Sequence, residues 1–399
     1  MATLIQRIKD KADEYFDYMV EVRRHLHRNP EVSFKEYDTT QFILDELKSK
    51  GIETRQPLET GCIGIIEGEL PGKVIALRAD IDALPMSEEG EAKEGFLSER
   101  AGAAHCCGHD FHTANLLGAA HILMDLKEEI RGKVVLIFQP AEEKLPGGAR
   151  LVCKSGILRE LGVEEVYGLH TNPDFSTGEI ALKAGALMAS TAEFDLVVTG
   201  NGGHAAAPHT TVDPIVTAAH LLQQFQTIVS RSLDPAEPSV LTVGRIEGGT
   251  AHNIIPGEVK LFGTVRALSP EVGGLIKQKM ENVLRGVTSA AGAGYQFEFR
   301  EGYPAVVNDS LCTKRILDSA EKLIAHESIQ LLEKPIMAAE DFAFYQQEYP
   351  GAFFFLGSGC GRADSRWSWH HPRYNVDEEA FRTGVSLMAG IILLQNAPV

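Results

Sequence analysis

Lys133-Val134-Val135-Leu136-Ile137-Phe138, followed by Gln139-Pro140-Ala141-Glu142-Glu143, is the stretch on which the fold turns. Five apolar residues in a row, rich in β-branched and aromatic side chains, read as a strand buried on both faces. The strand delivers two adjacent carboxylates at its C-terminal end. Upstream, residues 112–130 repeat Leu116, Leu117, Ala120, Leu123, Met124 and Leu126 at helical spacing. Downstream, Gly147-Gly148 opens a helix to about residue 155, and a further strand near 163–169 ends in Gly168-Leu169-His170. Two strands precede this region, 62–68 and 73–79, and the second runs into Asp80-Ile81-Asp82. Helices are expected over 3–28 and 37–50. Alternating strands and helices predict an α/β domain built on a mainly parallel, doubly wound sheet. Such sheets bind ligands beyond the C-terminal ends of their strands. Glu142, Glu143 and His170 are all expected on that rim.

The pattern changes after about residue 185. Ala192, Phe194, Leu196 and Val198 alternate as one face of a strand, and Gly200-Asn201-Gly202-Gly203-His204 forms a turn. Asp213-Pro214 and Ser269-Pro270 each read as an N-cap followed by a first helical residue. With strands at 239–246, 257–267 and 295–300, the order is βαββαβ, that of a ferredoxin-like unit. The predicted organisation is a catalytic domain in two parts, 1–184 and 301–399, with an inserted lid or dimerisation domain at 185–300.

Composition bounds the function. A chain of 399 residues with 44% hydrophobic and 23% charged residues is that of an ordinary globular protein of two domains. The net charge of -17 argues against nucleic acid and anionic membrane surfaces as partners. No signal peptide or membrane helix is expected. The six scattered cysteines read as reduced thiols of a cytoplasmic protein.

The densest chemistry lies in His105-Cys106-Cys107-Gly108-His109-Asp110-Phe111-His112-Thr113, with three histidines and two cysteines in nine residues. Thiolate and imidazole together suit a soft-to-borderline metal ion. The same residues could supply a thiol nucleophile with a histidine base, or could simply pack in a loop before a helix. Asp82 and Asp110 are candidates for orienting ligand histidines through the nitrogen not bound to an ion. His112, at a helix start, has a structural reading.

Taken in order, the motifs resemble a known family. They are His27-Arg28-Asn29-Pro30-Glu31, Arg78-Ala79-Asp80-Ile81-Asp82-Ala83-Leu84-Pro85, Cys107-Gly108-His109-Asp110-Phe111-His112-Thr113, Gln139-Pro140-Ala141-Glu142-Glu143, Gly203-His204-Ala205-Ala206, Asn253-Ile254-Ile255-Pro256, Gly263-Thr264-Val265-Arg266, Glu340-Asp341-Phe342 and His370-His371-Pro372. Nearly the whole chain is similar to the dinuclear metallopeptidases of the aminoacylase and carboxypeptidase G type, in their amidohydrolase branch. The resemblance implies hydrolysis of N-acyl amino acids or related small conjugates, with exopeptidase activity as the alternative. It implies two divalent ions, zinc, manganese, cobalt or nickel, held by Cys107, His109, Glu143, His170 and His370. Cys107 would bridge them and Glu142 would be the general base on a metal-activated water. Of the two adjacent histidines, chemistry alone does not choose, and the resemblance selects His370. On the insertion, His204 would meet the carbonyl oxygen, and Asn253 and Arg266 the substrate carboxylate. A homodimer is expected through the insertion.

Overall fold

The computed structural model describes residues 2–360 and 366–394. The chain forms two units. The first holds the described residues up to Leu187, Val307–Lys334 and those from Asp341 onward; the second holds Met188–Val306 and Pro335–Glu340.

The first unit is built on eight strands. They include β1 (Glu53–Arg55), β2 (Cys62–Glu67), β3 (Leu70–Asp80), β4 (Arg131–Gln139), β5 (Glu165–Ser176) and β6 (Ile180–Leu182), with Ile329–Leu331 and Gly351–Gly359 from the later part of the chain. The order across the sheet is β1-β2-β4-β3-β5, then Gly351–Gly359, β6 and Ile329–Leu331. The central pairs, β4 with β3, β3 with β5 and β5 with Gly351–Gly359, are parallel. Antiparallel pairing is confined to β1 with β2, β2 with β4, and β6 with Gly351–Gly359. The expected mainly parallel sheet is therefore present, in a mixed form.

Side chains alternate across this sheet with period two. Ile75, Leu77 and Ala79 of β3 and Val134, Leu136 and Phe138 of β4 enter one apolar core with the helices α1 (Ala2–Glu14), α2 (Phe16–Arg28), α3 (Tyr37–Ser49) and α4 (His109–Asp125), and with Ala380–Leu393. The intervening residues, Arg78, Asp80 and Gln139, serve a polar cluster instead. Helix α4 is buried from His109 to Leu123, which is why it lacks a polar stripe. Phe111 stacks on Phe381 with ring centroids 4.0 Å apart and planes at 7°. The expected single helix over 3–28 is broken at Tyr15. There the phenol hydroxyl donates to Asp125 at 2.7 Å and the ring meets His121 edge-on, so tertiary anchoring overrides local periodicity.

The second unit has strands in the order Ser239–Gly248, Glu258–Ala267, Ser190–Thr199, Gly294–Glu301, all antiparallel. Helices Pro214–Thr227 and Pro270–Ala291 bury Leu221, Phe225, Ile276, Met280 and Leu284 with Phe194, Leu196, Val198 and Leu261. Asp213 caps the first helix through the amides of Ile215 and Val216, and Ser269 caps the second through that of Val272. This is the ferredoxin-like arrangement, in which the first strand lies between the third and the fourth. No helix among the described residues is long and apolar enough to cross a membrane. None of the six cysteines is in a disulfide.

Because Phe111 locks α4 and α4 begins at His109, core packing and site geometry are linked. Phe111→Ala is expected to cost about 3–5 kcal/mol in urea unfolding followed by fluorescence. Ile246→Ala, at a side chain that is 54% exposed, should stay within about 0.5 kcal/mol. Equal losses in the two variants would refute this account of the core.

Candidate metal centre

Three strands of the sheet bring their polar residues to one level. Asp80 pairs in register with Gln139, and Arg78 pairs with Gly168, which puts His170 level with Asp80. His170 is not at a strand end as expected, because β5 continues to Ser176. Between β3 and α4 the chain delivers Cys107 and His109 on either side of Gly108. Gly108 has φ 96°, and a Cβ there would lie 2.4 Å from Thr171 Oγ1. Only glycine permits that turn at that approach.

The five expected ligands come together. The donor atoms of Cys107, His109 and His170 lie within 4.8 Å of one another, and so do those of Cys107, Glu143 and His370. Cys107 is common to both triads. Its Sγ is 3.4 Å from His170 Nε2, and His370 Nε2 is 3.1 Å from Glu143 Oε1. Glu142 also falls within a 4.8 Å group with His109 and Glu143.

The ring orientations are fixed from behind. His109 Nδ1 donates to the Asp82 carbonyl at 2.9 Å, which turns Nε2 inward. That Nε2 is buried without a hydrogen-bond partner, at 3.6 Å from Asp80 and 3.9 Å from Glu143. A buried imidazole nitrogen that faces two carboxylates and bonds to neither fits a cation between them. His170 Nδ1 donates to the Thr171 carbonyl at 2.7 Å, leaving its Nε2 lone pair toward Cys107. His112 differs, because both nitrogens are used. Its Nε2 accepts from Thr171 N at 2.9 Å and its Nδ1 donates to Asp80 at 2.6 Å. The structural reading of His112 therefore holds.

His371 stacks on Trp367, with centroids 4.2 Å apart, and accepts from Arg373 N, so it is His370 that meets Glu143. Asp110 does not orient a ligand. It binds His27 at 2.8 Å and Arg23 at 3.2 Å instead. His27 is buried between Asp110 and Glu88.

The adjacent carboxylates part because the backbone kinks. Ala141 has φ 52°, a left-handed conformation that costs about 1–3 kcal/mol in a residue other than glycine. Asp82 accepts from Glu142 N at 3.0 Å and Glu143 N at 3.1 Å, and Glu36 accepts from Ala141 N at 2.8 Å. Behind them, buried Arg78 donates to Gln139, Asp80 and Asp341. Glu36 carries no periodic signal in the sequence and was not anticipated, whereas Asp341 stands in a motif of the resemblance but had no assigned role. Arg78 interrupts an apolar run, which is the trace a buried ion pair leaves.

Electrostatics separate the metal from the thiol reading. Burial pushes the Cys107 thiol well above its ordinary range, and Glu143, Glu142 and Asp80 push it further. A thiolate needs a compensating cation there. Burial lowers His109, but Asp80 and Asp82 outweigh it and hold the imidazole at about 10. Burial sends His170 the other way, well below the usual histidine value. An entering ion would displace the protons on Cys107 and His109.

The expected substrate contacts belong to the second unit. The short ladder of Gly203–His204 with Ile254–Ile255 sets His204 beside the segment carrying Asn253, and Ala205 N donates to the Asn253 carbonyl at 3.1 Å. His204 and Asn253 are exposed. His204 Nδ1 accepts from Ala206 N at 3.0 Å, so the neutral ring carries its proton on Nε2. Arg266 pairs in register with Thr191 and Val240, is half-buried, and has a guanidinium pKa lowered by that burial.

Comparison with known proteins agrees with the site. The profile described as peptidase family M20/M25/M40 matches residues 76–394. N-acetyl-L-cysteine deacetylase of Bacillus subtilis is 42% identical over 364 residues, 91% of this chain and 84% of the relative. Thermostable carboxypeptidase 2 of Saccharolobus solfataricus is 36% identical over 385 residues, 96% of each chain. The solved structure of the Bacillus subtilis YXEP protein, described as a dinuclear metal binding peptidase from the M20 family, superposes with a TM-score of 0.83 at 34% identity, covering 96% of this chain and 98% of that one. With its donor cluster at the sheet rim and these relatives along its length, the chain belongs to the M20 peptidase family, as a metallohydrolase of amide or peptide bonds.

Proposed function

We propose that this protein is a dinuclear amidohydrolase that cleaves the amide of an N-acyl amino acid or a related small amino acid conjugate. One observation carries the reading: a single thiol, Cys107, belongs to two donor triads, and a second carboxylate, Glu142, lies in a group with His109 and Glu143. Cys107, His109 and His170 would hold one divalent ion, and Cys107, Glu143 and His370 a second. Thiolate, imidazole and carboxylate donors suit zinc, manganese, cobalt or nickel. Ions bound there supply Lewis acidity to the amide carbonyl and lower the pKa of water. Glu142 takes the proton of the attacking water and returns it to the leaving amine. Asp341 N lies 3.4 Å from Glu142 Oε1 and helps orient it. A nucleophilic role for Cys107 is disfavoured, because burial and the carboxylates around it keep the sulfur protonated without an ion.

The substrate class rests on the second unit. His204 presents Nε2–H outward, as a donor for a carbonyl oxygen that gains charge. Arg266 makes no hydrogen bond or ion pair among the described residues, so its guanidinium is available to a carboxylate in bidentate fashion. Asn253 lies beside His204 for the same carboxylate. The relative named as a deacetylase of N-acetyl-L-cysteine accords with an N-acyl amino acid. The carboxypeptidase relative keeps exopeptidase activity as the second reading, since a peptide also ends in a free carboxylate.

Four outcomes are expected. Chelation should abolish hydrolysis across a panel of N-acetyl, N-benzoyl and dipeptide substrates, and added divalent ions should restore it. Glu142→Gln should lower kcat by about 100- to 10,000-fold with metal content intact, whereas Glu143→Gln should lose metal. Elemental analysis showing the reverse pattern would exchange the two roles, and full activity without metal would reject the proposal. The two ion positions should also differ in hold. Cys107, His109 and His170 are buried, whereas the His370 side chain is 53% exposed and its backbone has φ 65°. On dialysis, His370→Ala should lose one ion of the pair and keep the other, while Cys107→Ala should lose both. Arg266→Ala should raise KM by about tenfold or more for substrates with a free α-carboxylate and leave their carboxamides little changed. An equal effect on both would remove Arg266 from the binding site.

A further inference from the structure

Three consecutive amides leave β4 at Ala141, Glu142 and Glu143, and each ends on a carboxylate. Asp82 takes the second and third, and Glu36 takes the first through Oε1 at 2.8 Å. The other Glu36 oxygen, Oε2, accepts from Thr60 Oγ1 at 2.9 Å. Glu36 has no exposed surface. It lies 105 residues before the amide it holds, in the segment that starts α3. Its place is electrostatically unfavourable, because burial and the nearby charge of Asp82 push its carboxyl up to about 7. An apolar residue would fill the same volume without that cost. What the carboxyl adds is one acceptor aimed at the amide of a residue with left-handed φ.

That amide sets the direction of the two side chains that follow. If Ala141 relaxed to negative φ, Glu142 and Glu143 would turn about its N–Cα bond as one body. Both carboxylates would then leave their places at the donor triads. Asp82 alone does not prevent this, since it holds the amides after the kink and not the kink itself. On the carbonyl side, Gly148 N donates to Ala141 O at 2.9 Å, and a Cβ at Gly148 would fall 1.7 Å from the Pro140 carbonyl. The turn is thus gripped from both faces, with the Glu36 side chain as the acceptor for the Ala141 amide.

We propose that Glu36 is a positioning residue for the reaction: through the Ala141 amide it fixes the turn that aims Glu142 and Glu143 at the donor triads. The proposal rests on the roles assigned above to those two residues. The test compares Glu36→Gln, which keeps an acceptor, with Glu36→Leu, which has similar volume and none. Both are chosen over Glu36→Ala to avoid a cavity. Hydrogen–deuterium exchange of the peptide spanning 139–144 is read in metal-free protein, beside kcat, KM and metal content of the loaded enzyme. Glu36→Leu should lose protection in that peptide and lose about 10- to 100-fold in kcat, with KM within about twofold. Glu36→Gln should restore protection and most of the rate. Unchanged exchange in Glu36→Leu overturns the proposal. So does a fall in kcat that only tracks lost metal or lost folded protein, or a Gln variant as impaired as the Leu variant. If Glu142→Gln, measured alongside, keeps full activity, the role of Glu142 has failed, and the exchange data still decide whether Glu36 holds the turn.

Discussion

The rim of the sheet is crowded with acidic groups that Arg78 and a protonated His109 offset only in part. Asp80, Asp82, Glu142 and Glu143 converge within a few residues of one another in space, all at least largely buried. Arg78 is the nearest fixed cation, and it is shared between Asp80 and Asp341. Removing one partner of such a buried ion pair typically costs about 3–5 kcal/mol, so Arg78 is held to its place by both. The thiol of Cys107 adds a further potential anion. A cluster of this composition is stable as a binding site and poor as a packing solution, which is why its geometry points toward cations.

Much of the nearby backbone is shaped by the need to make donors converge. Left-handed residues sit at Gly108, between Cys107 and His109; at Ala141, before Glu142 and Glu143; and at His370 itself. At Gly108 the conformation costs little, because no Cβ is present. At Ala141 and His370 it persists against strain, and in both cases hydrogen bonds over-determine it. Ala141 is held by Glu36 and Gly148, and the His370 amide donates to the Cys106 carbonyl at 2.8 Å. Strain concentrated at chemically active positions and gripped by buried polar groups is the expected signature of a site built for precision.

The sequence displayed the frame of this arrangement and hid its support. Apolar runs such as 133–138 specify strands because burial on both faces leaves no alternation, and the change to alternating strands after 185 marks a different architecture. The donor cluster was legible because three histidines and two cysteines crowd into residues 105–113, and because the motifs, taken in order, resemble those of a known family; chemistry alone left the thiol reading and the choice between His370 and His371 open. Most of the bonds that support it were not legible, for a physical reason. His27 and Asp341 stand in motifs of the resemblance, but they and Glu36 act through hydrogen bonds to residues 83, 263 and 105 positions away, and such bonds have no period. In a linear reading Glu36 is one more acid near a helix start, and His27 one more polar residue at a helix end. The break at Tyr15 is invisible for the same reason, since its cause is Asp125 on another helix.

A division of labour follows from where the groups are rooted. His109 begins a fully buried helix and His170 lies inside a central strand, so both inherit the rigidity of the core. Glu142, Glu143 and His370 stand on irregular backbone, and only local polar contacts keep them in place. Of the five candidate ion ligands, His109 and His170 stand on regular elements, and Cys107, Glu143 and His370 stand on loops. Glu142, the base in the proposed reaction, is on the turn after β4. A carboxylate that changed its charge during turnover would also change its pull on every neighbouring dipole. Anchoring that turn through backbone amides, which carry no titratable proton, would let the charge on Glu142 change while the atoms that hold its main chain kept the same bonds.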